Sequence, residues 1–179
     1  MRIVAGSRKG ARIFAPKGRD TRPTSDRVRE AAFNLIGPVD GATVLDLYAG
    51  SGAMGLEALS RGAARAVFVE SDRDACRTIE RNLDKLALTG ALVLCEDARR
   101  VLTTEAAAGR RYDLVLVDPP YRAFSGVAEV LARYLPGVVA AEGLVVVETS
   151  EHEEPDLPLR KRTSRRYGAA RLTVFDGAE

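Results

Sequence analysis

The sequence predicts an α/β fold, a doubly wound and mainly parallel sheet of seven strands with helices on both faces. Through the middle of the chain, apolar runs of strand length alternate with segments of helical periodicity. These runs are nearly continuous in aliphatic residues, which is typical of parallel strands covered on both sides. The last two runs, 161–167 and 171–175, are separated by a turn at Gly168 and predict an antiparallel hairpin.

The start of the chain predicts a small extension in front of this sheet. Residues 2–15 suggest a short hairpin, and apolar positions from Thr24 onward recur at helical spacing until Gly37-Pro38 stops the helix. We therefore expect a basic hairpin-and-helix extension over residues 1–38 and a main domain over residues 39–179.

The strands and helices of the main domain follow in strict alternation. Its five parallel strands are predicted at 44–47, 66–69, 92–94, 114–117 and 144–147. Ser71 and Asp74 predict a capping box for the helix after the second strand, and a short helix is expected over 98–107. Right-handed crossovers place a ligand at the carboxyl ends of such strands.

Composition excludes several classes of protein. Of 179 residues, 46% are hydrophobic and 29% are charged, which suits one domain with a substantial core. No apolar run approaches the roughly 18 residues of a membrane span, and no secretory signal is visible. We expect a cytoplasmic protein, and since nothing in the sequence demands a dimer, a monomer.

Cysteine and histidine give no sign of a metal site. Cys76 and Cys95 form no CxxC motif and sit in apolar patterns, so we expect reduced core thiols, neither a disulfide nor metal ligands. The single histidine, His152, lies in an acidic stretch and is expected to face solvent. Chemistry built on histidine or a metal is therefore not expected.

Charge is distributed unevenly along the chain. Residues 1–30 carry nine Lys or Arg against three acids, residues 31–159 twelve against twenty, and residues 160–171 six bases and no acid. Basic clusters with turn residues suit a phosphate backbone, although a merely soluble surface is the alternative. The acidic middle favours a small cationic or zwitterionic ligand.

A glycine-rich turn predicts a nucleotide-containing cofactor. Residues 50–55 match GxGxxG between a strand and a helix, and Glu70 follows where a carboxylate would meet ribose hydroxyls. Asp46 would repel the pyrophosphate of a dinucleotide but attract the ammonium and sulfonium groups of S-adenosylmethionine. Asp97 is expected either to accept from the adenine amino group or simply to cap a helix. The predicted cofactor-binding residues are Asp46, Tyr48, Ala49, Gly50, Ser51, Gly52, Glu70, Ser71, Asp97 and Ala98.

The most specific motif is Asp118-Pro119-Pro120-Tyr121 at the end of the fourth strand. Two prolines cannot donate to a sheet, so their carbonyls are turned toward a cleft. The Asp118 carboxylate and the Pro119 carbonyl can then both accept from one exocyclic NH2 group, and Tyr121 offers a face for base stacking. These four residues are the predicted catalytic group of an amino-methyltransferase.

These motifs, together with the segment Arg22-Pro23-Thr24-Ser25-Asp26-Arg27-Val28-Arg29, resemble the RsmD family of class I methyltransferases. That family methylates N2 of guanine 966 in bacterial 16S ribosomal RNA. The resemblance implies a Rossmann-like methyltransferase fold, S-adenosylmethionine as donor, and the small ribosomal subunit or its assembly intermediate as partner. The residues expected to contact RNA are Arg8, Arg22, Thr24, Arg27 and Arg29.

Three other functions stay open from the residues alone. The DPPY motif does not choose the base, so a DNA adenine or cytosine amino-methyltransferase is one alternative. A non-catalytic RNA-binding assembly factor with the same fold is the second, and a nicotinamide oxidoreductase is the third.

Overall fold

In a computed structural model, residues 1–16, 25–120 and 124–177 are described. Their helices are Asp26–Ile36 (α1), Ala53–Ser60 (α2), Arg73–Leu86 (α3), Ala98–Ala107 (α4) and Phe124–Val138 (α5). Their strands are Thr43–Leu47 (β1), Arg65–Val69 (β2), Ala91–Leu94 (β3), Tyr112–Val117 (β4), Val139–Ser150 (β5), Lys161–Tyr167 (β6) and Ala170–Asp176 (β7). None of these helices is long and apolar enough to cross a membrane.

The strands form one seven-stranded sheet in the order β3-β2-β1-β4-β5-β7-β6. Strands β1 to β5 are parallel to one another, whereas β7 is antiparallel to both β5 and β6. The predicted fold is therefore confirmed. Strand order reverses between β1 and β4, and this is the switch point where ligands bind in such sheets.

The N-terminal extension forms the predicted hairpin and helix. Arg2 and Arg12 make an antiparallel bridge, the Ile3 N–H donates to Ala11 O over 2.9 Å, and a 3-10 turn lies between them. Helix α1 is capped by the Ser25 hydroxyl, which accepts from the Val28 N–H over 3.2 Å. Gly37, at φ 86, follows its last residue.

The extension shares one hydrophobic core with the sheet. Ile3, Ile13 and Phe33 are buried in the same cluster as residues of α2, β1 and β2. The buried Glu57 on α2 strengthens this contact, since its carboxylate accepts from the Val4 N–H over 2.8 Å and the Ala5 N–H over 2.9 Å. The boundary at residue 38 stays a prediction, and it would separate two segments that pack as one unit.

Two local predictions are wrong. Helix α3 is capped by Asp72, whose Oδ1 accepts from the Asp74 and Ala75 N–H groups, so the capping box starting at Ser71 does not form. Cys76 and Cys95 are paired in a disulfide with a Cα–Cα distance of 5.9 Å. The β2–α3–β3 crossover brings the first turn of α3 beside the end of β3, a proximity that cysteine spacing did not indicate. His152 is exposed, as predicted.

Candidate active site

Acidic residues lie at or near the carboxyl ends of four neighbouring strands. Glu70 and Asp118 directly follow β2 and β4, whereas Asp46 is the penultimate residue of β1 and Glu148 lies two residues before the end of β5. Leu47 pairs with both Val69 and Val117, and Val117 pairs with Val147. Glu70, Asp118 and Glu148 follow these paired residues and are therefore level with one another, while Asp46 lies one residue before Leu47.

The glycine-rich turn lies directly above β1. Backbone φ is 60° at Tyr48, 56° at Gly50 and 79° at Gly52, so the chain passes repeatedly through the left-handed region that glycine tolerates best. A Cβ on Gly55 would approach Phe68 to 2.4 Å and Asp46 Oδ2 to 3.0 Å. Position 55 therefore has to be glycine for α2 to pack this closely on β2.

Asp46 is buried beneath this turn, and its contact with the cofactor stays a prediction. Its Oδ2 accepts from the Gly55 N–H over 2.9 Å, which satisfies a backbone donor in the first turn of α2. Burial is the main cause that raises the pKa of Asp46 to about 7; the Gly55 hydrogen bond opposes this rise, and the charges of Asp118 and Glu70 contribute to it. The three carboxylates thus share one electrostatic site.

Glu70 fixes the turn from the side of β2. It is buried, and its Oε2 accepts from the Gly50 N–H over 2.9 Å while Oε1 accepts from the Asp72 N–H over 2.8 Å. The glycine-rich turn and the start of α3 are therefore held by one carboxylate. The ribose contact expected for Glu70 stays a prediction, and the structure adds this second role.

Tyr48 and Asp97 come together on the other side of the turn. Burial and, to a smaller extent, the nearby Asp97 carboxylate raise the pKa of Tyr48 to about 12, so the phenol stays protonated at neutral pH. Asp97 caps α4, whose first residue is the buried Ala98, and both capping bonds reach Oδ1. The helix-cap role of Asp97 is confirmed, while its contact with adenine stays a prediction.

The remaining predicted cofactor residues lie around the same turn. Ala49 donates its N–H to Val69 O over 3.0 Å, and Gly52 donates to Ala49 O over 2.7 Å. The Ser51 hydroxyl lies 3.9 Å from Met1 Sδ, so the turn also touches the N-terminal extension. Ser71 is exposed at the end of β2.

The predicted catalytic group begins beside the glycine-rich turn. The Asp118 N–H lies 3.4 Å from Leu47 O, and the negative charge of Asp118 contributes to the raised pKa of Asp46. Asp118 is half-buried, Pro119 is buried and Pro120 is exposed, whereas Tyr121 lies outside the described residues. The two motifs therefore open onto the same edge of the sheet.

The structure separates the arginines predicted to contact RNA. Arg27 is exposed on α1. Arg8 is half-buried and donates to the carbonyls of Leu86 and Ala87, so its guanidinium caps the end of α3. Arg22 and Thr24 lie outside the described residues.

Arg29 requires a correction, because its side chain is 0% exposed. It donates to Asp26 Oδ1 over 2.8 Å and to the carbonyl of Arg2, and it lies 3.4 Å from Glu57. This arginine fastens α1 to the hairpin and to α2, and the fold makes it inaccessible to RNA. Its place in a basic sequence had suggested an exposed cation.

Sequence reasoning missed Asn82, which joins the extension to the turn. The side chain is fully buried; its amide donates to Phe14 O over 3.0 Å and to Ser51 O over 3.1 Å, and its oxygen accepts from the Phe14 N–H over 2.7 Å. The available signal was a polar residue on the buried face of α3, between Ile79 and Leu83. Glu148 was missed too, although it follows Val147 as Asp118 follows Val117, the residue paired with Val147.

Comparison with known proteins identifies the family of this chain. A family model described as Conserved hypothetical protein 95 matches residues 1–176. The ribosomal RNA small subunit methyltransferase D of Escherichia coli (strain K12) is 40% identical over 162 residues, covering 88% of this chain and 79% of that protein.

Solved structures share the architecture. A hypothetical protein of Thermus thermophilus has a TM-score of 0.85 at 33% identity, covering 98% of this chain and 99% of that chain. A SAM-dependent methyltransferase from Agrobacterium tumefaciens, at 16% identity and a TM-score of 0.69, covers 89% of this chain and 64% of that chain, and this likeness concerns the fold alone. The chain therefore belongs to the family described as Conserved hypothetical protein 95, the RsmD family, and has the fold of the SAM-dependent class I methyltransferases.

Proposed function

We propose that this protein transfers a methyl group from S-adenosylmethionine to the exocyclic N2 amine of a guanine in 16S ribosomal RNA, at a guanine 966-type site, during assembly of the small subunit. Asp118 and Pro119, together called the Asp118 corner, lie beside the glycine-rich turn, and this position is the observation that carries the proposal. The Asp118 N–H lies 3.4 Å from Leu47 O. A donor held at the turn and an amine held at the corner would then meet.

The chemistry of the turn fits a cationic cofactor. Asp46, Glu70 and Asp118 surround it with carboxylates, and their mutual repulsion contributes to the raised pKa of Asp46. A bound positive charge relieves this repulsion, whereas a pyrophosphate would increase it. This supports S-adenosylmethionine over a nicotinamide dinucleotide.

The reaction needs acceptors more than it needs a strong base. When bound, S-adenosylmethionine supplies a methyl group on a sulfonium that leaves as a neutral thioether. The Asp118 carboxylate and the Pro119 carbonyl are the groups that would accept from the two hydrogens of the amine. Holding these hydrogens aims the nitrogen lone pair at the methyl group, and the same acceptors stabilise the positive charge that develops on nitrogen. Water takes the proton after transfer.

The substrate is proposed from the relatives and from the charge of the extension. The Escherichia coli relative is named for the small subunit ribosomal RNA. Lys9, Arg12 and Arg27 are exposed on the hairpin and on α1, where they can contact phosphates. The target guanine has to be unpaired or flipped out, since a base inside a duplex cannot reach such a site.

Methyl transfer to defined substrates tests the proposal. Tritiated S-adenosylmethionine is incubated with unmethylated small subunits, with the naked RNA and with duplex DNA, and the products are digested to nucleosides. We expect label in N2-methylguanine from the ribosomal substrate. Label in N6-methyladenine, or transfer to DNA alone, would overturn the assignment.

Two variants on β4 separate an enzyme from a non-catalytic assembly factor. Asp118→Ala should abolish methyl transfer and leave RNA binding within about twofold, because the RNA contacts lie elsewhere. Asp113→Asn is the matched control: Asp113 lies on β4, five residues before Asp118, and its Oδ2 accepts from the Thr43 N–H over 2.7 Å at the amino-terminal end of the strand. It should keep full activity, and equal activity of both variants would contradict the catalytic role of Asp118.

A further inference from the structure

The C-terminal hairpin formed by β6 and β7 carries a basic stretch whose arginines are not equivalent. Near the start of β6, Asp176 pairs with Arg160 over 2.7 Å and accepts from Arg162 over 2.7 Å. Glu154 accepts from Lys161 over 2.9 Å and from Arg171 over 3.3 Å. Four of the six bases of this stretch are therefore already paired with acids.

Arg165 and Arg166 differ from these four. Both side chains are exposed, and neither forms an ion pair with any residue in the described ranges. They are adjacent on an edge strand, so their side chains point to opposite faces of the sheet. Arg165 pairs with Leu172, which belongs to the core covered by α1, while Arg166 lies on the other face. The two side chains therefore lie on opposite faces of β6, the outermost strand of the sheet.

The strand registers place these two arginines level with Asp118 and Pro119. Val117 of β4 pairs with Val147 of β5, Val147 pairs with Thr173 of β7, and Thr173 pairs with Ser164 of β6. Because β6 runs in the same direction as β4, positions 165 and 166 continue the same cross-strand lines as positions 118 and 119. Three strand spacings separate β4 from β6, which corresponds to about 14 Å.

We propose that Arg165 and Arg166 form a docking surface for the phosphate backbone of the RNA that enters the active site. Guanidinium groups bind phosphates with two parallel hydrogen bonds. An RNA strand that approaches Asp118 from the side of β6, along the carboxyl ends of the β-strands, would pass both arginines. The partner is an RNA strand and not a small phosphate, because the two side chains lie on opposite faces and can contact separate phosphates of one backbone but not a single phosphate together. This inference rests on the proposed RNA substrate and extends it to a surface that the N-terminal extension does not supply.

A second explanation gives these arginines a different task. Charged residues on an edge strand also prevent it from pairing with the edge of another molecule. On that explanation, their removal would cause self-association and leave RNA binding unchanged. The two explanations therefore predict opposite results in two separate measurements.

The test compares the wild-type protein with Arg165→Gln/Arg166→Gln. Binding of a labelled single-stranded oligoribonucleotide is measured by fluorescence anisotropy over a range of salt concentrations. Losing two phosphate contacts should reduce the salt slope by about 1.4 and weaken binding about tenfold near physiological salt. KM for the RNA substrate should rise by a similar factor, while kcat and S-adenosylmethionine affinity stay unchanged.

Two controls make the result specific. Arg162→Gln removes an arginine of the same strand that is paired with Asp176 at the far edge, and it should bind RNA like the wild type. Arg165→Lys/Arg166→Lys keeps both charges and should retain most of the salt slope. An unchanged slope and KM in the double glutamine variant would overturn the proposal, whether or not that variant self-associates in sedimentation. If the wild-type protein methylated no RNA at all, the proposed function would fail instead.

Discussion

Asp46 offers a direct test of the electrostatics of the site. Burial raises its pKa from 3.8 to about 7, so the folded protein favours the neutral acid. Below pH 4 the acid is mostly protonated in both the folded and the unfolded chain, and its burial costs little. As the pH rises toward 7, the unfolded chain gains from ionisation while the folded chain cannot, so stability falls. A shift of about 3 pKa units corresponds to about 4 kcal/mol at pH 8.

Asp46→Asn removes this ionisation and keeps the shape of the side chain. Its amide oxygen can still accept from the Gly55 N–H. We expect the variant to be more stable than the wild type at pH 8 by up to about 4 kcal/mol, and the difference to shrink toward zero near pH 4. Urea unfolding of the cofactor-free protein at several pH values measures this difference directly.

Cofactor binding should respond in the opposite sense to the same substitution. In the wild type, affinity for S-adenosylmethionine should rise from pH 6 to pH 8 as Asp46 ionises, because only the carboxylate attracts the cation. Asp46→Asn should bind the cofactor at least tenfold more weakly at pH 8 and lose this pH dependence. A stability difference between the two proteins that is the same at pH 4.5 and pH 8 would refute the reasoning.

Three further predictions concern the contacts around the site. Asn82→Ala leaves two carbonyls and the Phe14 N–H without this partner, so it should lower the free energy of unfolding in urea by about 1–3 kcal/mol. It should also raise KM for the cofactor, because Asn82 holds Ser51 of the glycine-rich turn. An unchanged KM would mean that the contact between the extension and the turn does not affect cofactor binding. Glu57→Gln removes a buried charge beside Arg29 and should lower the free energy of unfolding by about 3 kcal/mol. A loss below about 1 kcal/mol would mean that the Asp26 carboxylate alone balances the charge of Arg29. Cys95→Ser, or reduction by a thiol reagent, opens the disulfide to Cys76 at a sequence separation of 19, and it should lower the unfolding free energy by about 3 kcal/mol; identical urea midpoints with and without the reagent would contradict this.

Much of the fold was determined by local sequence. Apolar runs of strand length, helical periodicity and turn residues predicted most elements within a few residues, as the helix predicted at 98–107 and found at Ala98–Ala107 illustrates. The fifth strand is the exception: it was predicted at 144–147 and spans Val139–Ser150, because its ends lack the continuous aliphatic run of its centre. The common edge of the glycine-rich turn and the Asp118 corner also followed from sequence, because parallel strands with right-handed crossovers bring their carboxyl ends to one side.

Only the tertiary structure decided which charged and polar groups are paired. Arg29 lies in a segment rich in bases, and the sequence suggests an exposed side chain. In the folded chain Arg29 is buried and pairs with Glu57 of another helix. The same holds for the disulfide between α3 and the end of β3, and for the arginines of β6 that Asp176 does or does not neutralise. Periodicity records which face of an element is buried, but an ion pair or a raised pKa depends on a partner that is distant in the chain. Those distances exist only after the elements have packed.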